Sequence, residues 1–176
     1  MKKINTGTSD FEDLIKSECI YVDKTAYMRR LASDVGNKVV FMSHPRRFGK
    51  SLTVSAFKAI FQGRRELFRG LDIERLGWTW QTHPVIHFRF SEASTDSLER
   101  FDKTFSGIVK DSLAAAGYEY DDKKDYSLNF ANAIEALHAK SVKDHEAAPS
   151  GSSGSRLIPR RAISSIAGRN GLEKDS

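Results

Sequence analysis

Cys19 is the chain's single cysteine. A disulfide within the chain is excluded, and so is a C-x-x-C metal pair. That usage fits a reducing compartment. No apolar run approaches the roughly 20 residues that a membrane-spanning helix needs. The opening MKKINTGTSDFEDL has two lysines but no apolar stretch, which argues against a signal peptide. The expectation is a cytoplasmic protein with no membrane partner. Basic excess is also scarce in the body of the chain. Residues 1–146 hold 23 Lys and Arg against 21 Asp and Glu, while residues 147–176 hold 5 against 2. Most of the net charge of +5 therefore sits in the last stretch, which weakens a reading of the body as a polyanion binder. There is no internal repeat.

What the sequence does have is hydrophobic periodicity in blocks. Phe11, Leu14 and Ile15 share a face in TSDFEDLIKSE, with Ser9 or Thr8 as the expected N-cap. KTAYMRRLAS is expected to be helical with Thr25 as a cap. Residues 39–42 (VVFM) and 85–90 (VIHFRF) read as buried strands, with Pro84 at the first residue of the second, where proline is tolerated. Leu52, Phe57, Ile60 and Phe61 line a helix face that Gly63 ends. The RRELFRGLDIERLGW stretch is a short helical or looped piece. The best helix runs from Ser97 to Ala116 and stops at Gly117, and a last one covers about residues 128–140. Residues 147–176 are rich in Ser, Gly, Ala and Arg without a sustained period, which predicts a disordered tail. The domain expectation is thus 1–146 followed by a tail of 147–176.

Between the first strand and the next helix lies HPRRFGKSL. Strand, loop and helix in that order make an anion site, because a helix N-terminus offers unpaired N–H groups and a positive dipole end. The phosphate-loop pattern G-x-x-x-x-G-K-[ST] asks for glycine where His44 stands. That first glycine serves a backbone turn and not a contact, and His44 can take its place. The candidate nucleotide-binding residues are Pro45, Arg46, Arg47, Phe48, Gly49, Lys50, Ser51 and Leu52. Pro45 restricts the loop, Arg46 and Arg47 add charge that can fork onto a phosphate, and Gly49 admits close backbone approach. Lys50 reaches the β- and γ-phosphates, and the Ser51 hydroxyl holds Mg²⁺ once nucleotide is bound. The alternative is a chance GKS in a basic loop.

Several ordered motifs, YVDKT (21–25), HPRRFGKSLTVSAFKAIFQG (44–63), ELFRGL (66–71) and the stretch from Trp80 to Ser91, resemble the AAA-ATPase-like family of bacterial and archaeal proteins. The likeness spans roughly residues 5–145. The family loop reads R-P-R-R-F-G-K-S, so the absent glycine is a family trait. The resemblance implies a P-loop NTPase with a three-layer α/β/α fold that binds ATP and Mg²⁺, often followed by a C-terminal nuclease-like domain. YVDKT looks like a family signature whose role the sequence does not disclose.

A P-loop ATPase also needs an apolar strand ending in an acid that orients the Mg²⁺ shell and polarises water. After Lys50 no run of four apolar residues meets an acid. Composition changes just after Lys143, where that strand should begin. The expectation is therefore an incomplete α/β domain, truncated before its second acidic motif, that binds nucleotide without hydrolysing it. The two legible strands are not neighbours in the implied sheet. Orphaned strand groups at about 1–3 kcal/mol each would weigh heavily against a domain stability of about 5–15 kcal/mol. A marginal fold, non-native strand pairing, self-association or a separate missing half follows as expectation. The competing function is a non-catalytic basic module that binds nucleic acid or a partner protein, with PRR at 159–161 as its contact. His83 and His87 lie in strand-like sequence and are not read as a zinc pair, and Trp78 and Trp80 are read as packing residues.

Overall fold

A computed structural model of the chain describes residues 3–4, 7–34, 39–43, 45, 47–90, 93–94 and 96–146. The tail expected to be disordered lies outside the described residues. The elements are α1 (Phe11–Lys16), α2 (Thr25–Ser33), α3 (Lys50–Phe61), a 3₁₀ turn (Arg65–Phe68), α4 (Asp72–Arg75), α5 (Leu98–Ala115) and α6 (Tyr126–Glu146). Among the described residues the pairing of extended backbone is confined to an isolated parallel bridge between Lys3 and Cys19.

This corrects the expected fold class. Among the described residues there is no three-layer α/β/α arrangement and no sheet, and neither residues 39–42 nor 85–90 belong to a ladder. The reason is the non-local nature of a strand. A parallel strand holds its shape through neighbours on both sides, and the described residues supply none. Val39 and Phe41 stand 76% and 86% exposed, so this apolar run is not buried as a central strand would be.

The described residues fall into two compact units, one made of those up to Val85 together with 138–146, the other of those within Ile86–Leu137. In the first, Phe11, Met28, Ala56, Ala59, Ile60, Leu67, Phe68 and Ile73 form the core. Phe11 stacks on Phe68 at 4.8 Å and meets Tyr21 edge-on at 5.1 Å. A six-residue helix such as α1 is unstable alone; burial of Phe11 and Leu14 holds it, each burial contributing about 1.5–3 kcal/mol. Its N-cap is Asp10, not Thr8 or Ser9: the Asp10 Oδ1 accepts the amides of Glu12 at 2.9 Å and Asp13 at 3.3 Å. Likewise Thr25 is the first residue of α2 and not its cap.

Gly63 ends the α3 segment at φ 70°, and a Cβ there would meet the Trp80 carbonyl at 2.9 Å. Only glycine satisfies both constraints. In the second unit Ser97 caps α5 by accepting the Arg100 amide at 3.2 Å. Val109, Leu113 and Ala133 pack with Ile86, Phe88, Phe105 and Phe130. The fully buried Asn129 has every polar atom engaged, donating to the carbonyls of Asp121, Lys124 and Asp125 and accepting the Asp121 amide. Helix α6 runs longer than the 128–140 expected from periodicity.

Candidate functional site

The described residues among 45–52 lead into α3, which begins at Lys50. Pro45, Arg47 and Ser51 are exposed, Phe48 is 62% exposed, and Gly49, Lys50 and Leu52 are half-buried. His44 and Arg46 lie outside the described residues. Arg47 has φ 68° and Gly49 has φ 79°. For an arginine that left-handed conformation costs roughly 1–2 kcal/mol, strain of the kind found where a loop is shaped for a ligand.

Gly49 occupies the N-cap position of α3, left-handed at φ 79° and ψ 24°, with no side-chain cap. Lys50 follows in helical geometry. Two successive residues of opposite hand turn consecutive N–H groups towards one side and leave a concavity suited to an anion. The Thr53 amide donates to the Gly49 carbonyl at 2.8 Å, so the amides of Ser51 and Leu52 precede the first intrahelical bond. A Cβ on Gly49 would meet nothing within 4 Å among the described residues, so they leave the space over its Cα open. Leu52 packs against the first unit's core and anchors this turn from below.

Two ties hold α3 to α1. The Ser55 hydroxyl donates to Asp10 Oδ2 at 3.1 Å and accepts the Phe11 amide at 3.0 Å. Beyond the far end of α3, Arg64 forks onto Glu12 at 2.7 and 3.2 Å. The Arg64 hydrogen bond, helped by Lys16, lowers the Glu12 carboxyl from 4.5 to about 2.

The YVDKT stretch has a structural role that the sequence reading left unassigned. Asp23 Oδ1 accepts the Thr25 amide and hydroxyl at 2.8 and 2.7 Å, and Oδ2 accepts the Asp72 amide at 2.8 Å. The Thr25 oxygen in turn accepts the Ile73 amide at 3.0 Å. One Asp-x-Thr motif therefore serves the first turns of α2 and α4. Burial pushes the Asp23 carboxyl up, but these hydrogen bonds outweigh it and hold it below its ordinary value. Burial, reinforced by the Asp23 charge, raises the Tyr21 hydroxyl to about 12. The signal was present as an Asx-turn pattern, a carboxylate two residues before an amide it can accept.

Among the described residues no group of three or more His, Cys, Asp and Glu side chains is placed to hold a metal ion. Of the candidate residues, Ser51 offers an exposed hydroxyl at the first turn of α3. One hydroxyl is a fitting protein share for Mg²⁺, which keeps most of its shell for phosphate oxygens and water. No helix among the described residues is long and apolar enough to cross a membrane.

A family model described as Predicted AAA-ATPase matches residues 5–145. An "Uncharacterized protein in vnfD 5'region" of Azotobacter chroococcum mcd 1 is 36% identical over 140 residues, covering 78% of this chain and 26% of that protein. The chain thus spans about a quarter of that relative's length. No solved structure matches.

Proposed function

The chain belongs to the predicted AAA-ATPase family, and from that premise we propose that residues 45–52 bind the phosphates of ATP. The observation that carries the reading is the left-handed Gly49 directly ahead of α3, with open space over its Cα. The first-turn amides and the helix dipole stabilise negative charge there. Lys50 supplies a full positive charge, and Arg46 and Arg47 add to it from the loop. Ser51 would hold Mg²⁺, which when bound neutralises charge on the β- and γ-phosphates.

The proposal for these 176 residues is binding without turnover. Hydrolysis needs an acid that orients the metal's water shell, and within these residues no run of four apolar side chains meets an acid after Lys50. Titration of the chain with a fluorescent ATP analogue and Mg²⁺ tests the reading. Saturable binding that Lys50→Ala weakens by at least about tenfold, or about 1.4 kcal/mol, is the expected result. Equal binding by both proteins would overturn it.

A further inference from the structure

Ser55 lies four residues after Ser51, on the same face of α3 and with roughly 5–6 Å between their Cβ atoms. The Ser55 hydroxyl is doubly engaged, donating to Asp10 Oδ2 and accepting the Phe11 amide. Asp10 is itself fixed: its amide donates to the Thr8 hydroxyl at 3.2 Å, and its Oδ1 holds the amides of Glu12 and Asp13. Phe11, the next residue, is fully buried in the first unit's core. The chain from Thr8 to Phe11 is thus tied by hydrogen bonds to Ser55 in the first half of α3. The Arg64–Glu12 fork joins the same two segments, but Arg64 lies past the other end of α3.

We propose that Asp10 and Ser55 are a positioning pair that fixes the first turns of α3 and so aims the amides of residues 49–51 at the phosphates. The pair contacts no ligand. Its negative charge is taken up by the Ser55 hydroxyl and by the N-terminus of α1. The inference rests on the proposed nucleotide site and adds to it residues outside the loop.

The test compares a fluorescent ATP analogue with Mg²⁺ across wild type, Lys50→Ala, Ser55→Ala, Ser55→Thr, Asp10→Asn and Glu12→Gln, with thermal unfolding recorded for each. Ser55→Ala and Asp10→Asn should weaken binding about tenfold, since small misplacements of a binding group carry losses of that order or more. Ser55→Thr keeps the hydroxyl and should restore binding. Glu12→Gln removes the charge and one acceptor of the distal tie; it should lower the unfolding temperature and leave affinity unchanged. A merely structural role for Ser55 predicts that affinity follows unfolding temperature across all four variants, and that outcome overturns the proposal. Tighter binding by Asp10→Asn also overturns it, by making the carboxylate a repulsive neighbour. Should Ser55→Ala fail to fold, Asp10→Asn and Ser55→Thr decide alone. Failure of the site itself looks different: wild type and Lys50→Ala then behave alike, and the inference falls with it.

Discussion

Residues 39–42 and 85–90 have much the same strand-like composition, and the fold treats them differently. Val39 and Phe41 stand in water ahead of the candidate phosphate loop. Phe88 and Phe90 instead lie against helices, Phe88 edge-on to Phe130 at 5.6 Å and Phe90 stacked on Phe105 at 5.6 Å. Neither segment forms a ladder. An apolar run specifies burial, and whether the burial takes the form of a sheet depends on partners far away in sequence. The units that carry the two segments differ in the same sense. The first relies on a small core plus hydrogen-bond and ion-pair ties between short helices. In the second, two long helices and an aromatic row do that work.

Substitution at the packed segment should have the largest effect. Phe88→Ala removes an aromatic from the second unit and should cost about 2–4 kcal/mol. Hydrogen exchange should show lost protection across α5 and α6. The two tryptophans, Trp78 and Trp80, are both in the first unit, so their emission should change little. Equal loss of both signals would break the contrast between the units.

Next comes a pair of glycines in the first unit. Gly63→Ala combines a positive φ with a close approach to the Trp80 carbonyl and should cost about 2–3 kcal/mol. Gly49→Ala has the same backbone problem but open space. It should cost only about 1 kcal/mol of stability, while nucleotide affinity falls at least as much. Denaturant melts read by tryptophan emission, run beside binding titrations, separate these outcomes.

Acid sharpens the comparison further. The Glu12 carboxyl is lowered in the folded state, so its tie to Arg64 is fully present above pH 4.5 and is lost as pH falls towards about 2. With both side chains partly exposed, the loss should be about 1 kcal/mol. The first unit's tryptophan-detected stability should decline across that window, and Glu12→Gln should flatten the decline.

Smallest is the change at the exposed segment. Phe41→Ser should move stability by no more than about 0.5 kcal/mol. It should reduce self-association in light scattering, because it removes an exposed apolar side chain.

The parts of the molecule that follow local rules were legible in the sequence. Helix α5 could be read from its Ser97 cap to its Gly117 stop, because cap, period and stop are all local. The start of α3 at Lys50 and its end near Gly63 were legible for the same reason. Illegible were the ties that hold the loop's helix in place. Ser55 and Asp10 are 45 residues apart, and Arg64 and Glu12 are 52 apart; no periodicity pairs them. Misreading residues 39–42 and 85–90 as strands has the same origin, since β-structure is decided by neighbours and not by the segment. Asp10 stands in for Thr8 or Ser9 because its short carboxylate reaches both first-turn amides at once.

The most direct test is an amide-resolved NMR titration of the chain with Mg²⁺ and ATP. Convergence of the first-turn amides on a phosphate predicts saturable downfield shifts at Gly49, Lys50 and Ser51, absent in Lys50→Ala. Shifts confined to other residues, or none that saturate, would contradict the account.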